Sequence, residues 1–328
     1  MFREPSSLRL LTFCTFLLIY IIAFVGNFTL IVLIAREKQL HKPVYIFLAN
    51  LAATDLIGIS TALPRVMHNL IVDNTISFPA CFTQMVFYHY YIVMESYILS
   101  TMAVDRYIAV CYPFRYNVLI TNRRAKAMNV AVSNCSICIA LIFLVLVLRL
   151  NFCRSRFLSN PICIFMALSN HACQDVKLHS IVGITSVVLS VGLSIVVVIT
   201  TYLYILYECF HLRQRSEGRS KALQTCMTHF MVFSVFVVSI LFIVISLRLG
   251  NVKFISPSMR YLMDIFAVFI PPVANPLIYG LRTAEIQRGL RRFLRCFSFS
   301  WNALNYQIVR VQFIKECNLI HPLNTSMI

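Results

Sequence analysis

The sequence predicts an all-α membrane protein: a seven-transmembrane helix bundle with a short amphipathic cytoplasmic helix after span seven. Three observations carry that reading. Hydrophobic residues make up 59% of the 328-residue chain and charged residues only 12%, with a mean hydropathy of +0.78, whereas soluble domains are about a quarter charged. Uncharged runs recur at lengths that meet or exceed the roughly 20 residues a helix needs to cross a bilayer. The apolar and polar alternation of a membrane barrel is missing, and spanning backbone must satisfy its own hydrogen bonds, so a helical bundle remains.

Four runs carry no charged residue at all: 10–35, 127–148, 178–207 and 222–247. Three more appear when isolated charges are allowed: 43–64 around Asp55, 78–104 around Glu95, and 257–281 with Arg260 and Asp264 near its start. The first run is longer than the apolar stretch of a cleavable signal and reads as a retained anchor. The seventh, "IPPVANPLIYGLRTAEI", holds Pro271, Pro272 and Pro276, each of which removes a backbone hydrogen bond and predicts a kink. After it, Ile286, Leu290, Phe293, Leu294 and Phe297 alternate with Arg288, Arg291, Arg292 and Arg295 at helical spacing, the pattern of a helix lying in the membrane interface. Cys296 on that helix is a candidate for palmitoylation. No internal repeat is visible, so the chain reads as one domain, residues 1–297, with a disordered cytoplasmic tail, 298–328.

Orientation follows from the basic residues. An odd number of spans separates the termini, and nineteen of the 29 Lys and Arg residues fall on the side of the C-terminus, which the positive-inside rule makes cytoplasmic. The N-terminus is then extracellular. The net charge of +17 is spread over short loops facing anionic lipid, not gathered into one patch, which disfavours nucleic acid as a partner. Cys81 and Arg106 are 25 residues apart on the third span, roughly 37 Å along a helix, so they lie at opposite membrane faces.

Of twelve cysteines, Cys14, Cys111, Cys135, Cys138, Cys209 and Cys226 fall within or at the ends of spans, where a thiol acts as a small hydrophobe. Cys153, Cys163 and Cys173 are spaced by ten in the loop after span four, on the same side as Cys81. Four thiols on an oxidising side predict disulfides, with three possible pairings; the paired short spacings of a zinc site are missing. Asp55 and Glu95 sit mid-span, where each carboxylate costs about 2.5 to 3.5 kcal/mol. Asn27 and Asn275 lie at matching depths. The cluster reads either as a hydrogen-bonded structural pair or as a sodium site.

Taken together, "GN" at Gly26 and Asn27, "LHKPVYIFLANLAATDL" at 40–56, "MAVDRYIAVCYPFRY" at 102–116, "KALQTCMTH" at 221–229 and "NPLIYGLR" at 275–282 resemble the rhodopsin-like G-protein-coupled receptors, and within them the vertebrate olfactory receptors. The stretch at 221–229 and the cysteine spacing point to the olfactory branch. Spans five and six lack proline, and span six lacks tryptophan, unlike most other rhodopsin-like receptors. Tyr88 occupies the third-span position where amine receptors place an aspartate.

The resemblance implies an odorant-sensing receptor at the plasma membrane that activates a heterotrimeric G protein, of the stimulatory type that raises cyclic AMP. It implies disulfides Cys81–Cys163 and Cys153–Cys173 in the loop over the pocket. It implies a switch in which Asp105 holds Arg106 while the receptor is idle, with Tyr107 facing the G protein and Tyr202, Asn275, Pro276 and Tyr279 taking part in activation. The ligand pocket would lie in the outer half, lined by Tyr88, His89, Ile92 and Val93 from span three and Phe236, Val237 and Ile240 from span six. The rivals are a rhodopsin-like receptor for another small ligand and a seven-helix transporter or channel using Asp55 and Glu95. An enzyme is excluded by the lack of a nucleophile with a base, a metal-ligand cluster or a phosphate loop. No cofactor is expected beyond the sodium ion.

Overall fold

A computed structural model describes residues 6–72, 75–152, 161–211, 217–249 and 257–305. The helices are α1 (Ser6–Arg36), α2 (Pro43–Ile71), α3 (Phe78–Cys111), the short α4 (Tyr116–Leu119), α5 (Asn122–Leu148), the short α6 (Phe165–Ser169), α7 (Lys177–Val187), α8 (Leu193–His211), α9 (Glu217–Leu249), α10 (Pro257–Arg282) and α11 (Ala284–Asn305). No strand occurs among the described residues, only one isolated bridge between Phe152 and Ala172. The spans are α1, α2, α3, α5, α7 continued by α8, α9 and α10.

Helix starts follow local chemistry. Pro43 opens α2, where its missing N–H costs nothing. Ser77 caps α3 by accepting from the Ala80 amide, and Thr121 caps α5 by accepting from Arg124.

Six described spans are long and apolar enough to cross a membrane; the exception, α3, is 34 residues long but less apolar. Its position explains this. α3 packs against α2, α5, α8 and α9, so much of its surface meets other helices instead of lipid and holds buried Gln84, Glu95, Ser96 and Asp105.

The fifth span contains a π-helical turn, Val188–Gly192, between α7 and α8. Proline does not cause it, because the span has none. Ser194 Oγ donates to the Ser190 carbonyl at 2.6 Å and accepts from Ser96 Oγ on α3 at 2.9 Å. Side-chain hydroxyls thus stand in for backbone partners at the irregular turn and tie it to the third span.

α10 runs as one helix through all three prolines. Pro276 cannot donate to the carbonyl four residues earlier. That carbonyl, on Pro272, accepts instead from Asn27 Nδ2 on α1 at 2.8 Å. α11 lies against the C-terminal end of α1: Arg292 pairs with Glu37 at 3.2 Å, Arg36 stacks over Phe293, and a Cβ on Gly289 would crowd Leu33. The helix extends to Asn305, eight residues past the boundary expected at 297. The Cys296 side chain lies outside the described residues.

Candidate functional site

In the middle of the bundle, Asn275 on α10 donates to Asp55 Oδ2 on α2 at 2.8 Å and lies 3.4 Å from Glu95 Oε1 on α3. The Tyr91 hydroxyl also reaches Glu95. Asp55, Glu95, Asn275 and Asn27 are all buried. One oxygen on each, Asp55 Oδ1, Glu95 Oε2, Asn275 Oδ1 and Asn27 Oδ1, has no hydrogen-bond donor among the described residues. Buried acceptors left in that state are costly. No group of three or more His, Cys, Asp or Glu is placed to hold a metal ion among those residues.

At the C-terminal end of α3, Asp105 and Arg106 form an ion pair at 2.7 Å, with the carboxylate side chain 1% exposed and the guanidinium 13%. The second carboxylate oxygen accepts from Tyr116 Oη on α4 at 2.9 Å. Burial, then the Asp105 charge, hold the Tyr116 phenol above its ordinary pKa, so at neutral pH it keeps its proton and donates. Tyr107 packs against Tyr112 and against Tyr204 on α8. The Tyr202 hydroxyl donates to the Cys226 carbonyl at 2.7 Å and lies 2.9 Å from Nδ1 of His229, which assigns the donating proton to that ring nitrogen. Tyr279 is buried with its hydroxyl on Met102 Sδ at 4.0 Å. Pro276 packs so closely on α1 that a Cβ at Gly26 would lie 3.1 Å from its ring.

The half of the bundle around the start of α3 is roofed by the loop after α5. A disulfide joins Cys81 to Cys163, and Gln84 braces it, accepting from the Cys163 amide at 2.9 Å while donating to the Thr61 carbonyl at 3.0 Å. Cys173 is disulfide-bonded; Cys153 lies outside the described residues, so the expected Cys153–Cys173 pairing does too.

Of the expected pocket residues, Tyr88, Phe236 and Ile240 are buried in one apolar cluster with Ile92 and Val237 against it. Val93 is buried outside that cluster. His89 is turned another way: Nδ1 lies 2.8 Å from the Met85 carbonyl and the ring meets Phe143 on α5 edge-on at 4.7 Å.

A family profile described as "Olfactory receptor" matches residues 16–296. The chain belongs to the olfactory receptor family. Among human relatives it is 37% identical to "Olfactory receptor 52Z1P" over 83% of this chain and 90% of that one, and 35% identical to "Olfactory receptor 51I1" over 85% and 88%. This olfactory receptor is therefore a multi-pass membrane protein and not an enzyme.

Sequence reasoning passed over five residues of the receptor. His229 closes a motif quoted for the family and carried a signal, its place in the first half of span six. Tyr116 ends another such motif. Ser96 and Ser194 look like ordinary helix residues until the π turn brings them together. Asp264, read only as an interruption of span seven, is buried.

Proposed function

We propose that this receptor detects small odorant molecules in the outer half of its bundle and relays their binding to a heterotrimeric G protein, of the stimulatory type, at the cytoplasmic end. The observation that carries the reading is the buried Asp105–Arg106 pair held from the loop by Tyr116. A charge pair taken out of water is costly, and a switch is among the best-attested uses that keep one buried. In the idle state Asp105 holds Arg106 while Tyr202 and Tyr279 are engaged elsewhere; activation frees the guanidinium toward those tyrosines as Asn275 and Pro276 re-pack in α10. Phe114, 99% exposed, stands with exposed Tyr112, Val118 and Leu119 beside this pair and offers an apolar docking ridge to the G protein.

The receptor sits in the plasma membrane with its N-terminus outside, its pocket lined by Tyr88, Ile92, Val93, Phe236, Val237 and Ile240 and flanked by His89. Residues 1–297 form the receptor domain and 298–328 a cytoplasmic tail, with Cys296 available for palmitoylation and Cys153–Cys173 as a second brace on the roof. A sodium ion suits the middle cluster: three hard oxygen atoms without donors, on Asp55, Glu95 and Asn275 and two of them carboxylate, are the chemistry such an ion takes. Asp55, Glu95 and Asn275 would hold it, and its charge would offset two neighbouring carboxylates.

A cyclic-AMP reporter in cells displaying the receptor tests the reading. Asp105→Asn should raise ligand-free signal, and a broad odorant panel should raise it in the wild type. Unchanged basal signal at normal surface level refutes the latch.

A further inference from the structure

We propose that the receptor forms a two-fold dimer through the lipid-facing side of α5, with Asn134 of one copy hydrogen-bonded to the same residue of the other. The occupant of that face is a second copy of this chain. Neither the odorant pocket nor the G-protein end makes use of this surface.

α5 keeps a smaller share of itself inside the bundle than any other of the six apolar spans. Its inward polar residues all find partners. Asn129 donates to the Ile46 carbonyl on α2 at 3.2 Å, Ser133 Oγ lies 3.1 Å from the Tyr90 hydroxyl on α3, and Ser136 Oγ donates to the Val132 carbonyl at 2.9 Å. Asn134 departs from this. It is exposed and makes no side-chain hydrogen bond among the described residues. The nearest charges on the helix are Lys126 and Arg149, roughly 12 Å and 22 Å away along the axis at 1.5 Å per residue. The amide therefore stands in the hydrocarbon layer, where neither water nor its own fold satisfies it.

The rest of that face has the periodicity of a helix pair. Ala131, Asn134, Cys138, Leu141, Val145 and Leu148 follow one another by alternating steps of three and four residues, and every one is exposed. A seven-residue repeat of this kind lines one seam of two helices crossing with a left-handed twist. The seam that α5 turns inward, Ser136, Ala140, Phe143 and Val147, keeps the same steps on the opposite side. Contact with lipid alone accounts for the leucines and the valine of the outer seam. It does not account for the amide.

Two features select a second copy as the occupant. A carboxamide carries two N–H donors and a carbonyl acceptor, so its partial charges are complementary to themselves: across a two-fold axis each Asn134 donates to the carbonyl of the other. Two copies of one chain also insert in the same orientation, which sets the same residue at the same depth in both. Ala131 and Cys138, about one turn to either side, are small enough to let the backbones approach. One polar residue in an otherwise apolar seam then fixes the register.

The test uses the full chain in cell membranes, with copies carrying donor or acceptor fluorophores at the C-terminus. Energy transfer between wild-type copies should saturate as acceptor is added. Asn134→Leu should weaken association about three- to thirty-fold, the range for a polar contact between membrane helices, and Asn134→Gln, which keeps the carboxamide, should recover it. In the same membranes copper phenanthroline, an oxidant that enters lipid, should link wild-type copies through Cys138, each thiol giving up a proton and an electron as the disulfide forms. Cys138→Ser should abolish the link, whereas Cys14→Ser, which removes an exposed thiol on α1, should not. The wild-type measurements stand even where a variant fails to fold. Energy transfer no greater than random encounter gives between wild-type copies overturns the proposal. So does association unchanged in Asn134→Leu at equal surface level, or a cross-link that needs Cys14 and not Cys138.

Discussion

Asn27 on α1 donates its amide to the Pro272 carbonyl on α10 at 2.8 Å, and Pro276 is the reason that carbonyl lacks a backbone partner. One side chain thus repairs a hydrogen bond that proline chemistry removes from a neighbouring helix. Asn27→Leu should leave a buried carbonyl unsatisfied at a cost of about 1 to 3 kcal/mol. Thermal unfolding of purified receptor in detergent checks this, and a variant as stable as wild type would show that the bond contributes nothing.

Tyr116 and Asp105 make a second prediction. Tyr116→Phe removes one of two donors to the carboxylate while sparing the ion pair, so basal cyclic AMP should rise less than in Asp105→Asn. The phenol's pKa is raised above its ordinary value near 10, so its proton, and with it the bond, is fully present below that value and lost only as pH climbs through the higher one. Basal signal should therefore stay flat as cytosolic pH is clamped from about 6.5 to 8, below the phenol range.

Sodium should stabilise the receptor through its middle cluster. Replacing potassium by sodium should raise the melting temperature of wild type, because an ion that binds only the folded state adds to its stability. Glu95→Gln and Asp55→Asn should abolish the difference. A sodium effect that persists in both variants would place the ion elsewhere.

Cys81→Ser or Cys163→Ser opens a loop of 82 residues in sequence and should cost roughly 2 to 5 kcal/mol. Antibody staining of intact cells should show surface level falling sharply. Gln84→Leu, which leaves the disulfide but unties the roof from α2, should give a smaller loss of display.

Phe114→Ala should weaken coupling without altering the fold, since the ring is fully exposed and supports nothing. Odorant-evoked nucleotide exchange on added G protein should drop several-fold at equal receptor amounts. Unchanged exchange would remove the ridge from the docking surface.

The architecture was open to reading along the chain. Charge-poor runs of membrane length leave backbone no option but helices, because transfer into lipid acts on each segment nearly independently. Even α3, too polar to stand out by apolarity, was found from spacing and its lone Glu95. The Asp105–Arg106 pair was equally legible, being adjacent in sequence.

What composition and spacing could not decide was which polar groups meet. Asn27 finds Pro272 and Ser96 finds Ser194 only once helices far apart in the chain are packed side by side. His89, beside Tyr88 in sequence, faces α5 because a helix turns about 100° per residue. Partner choice in a low-dielectric interior is a matter of ångströms between helices, and that distance is set by packing in three dimensions.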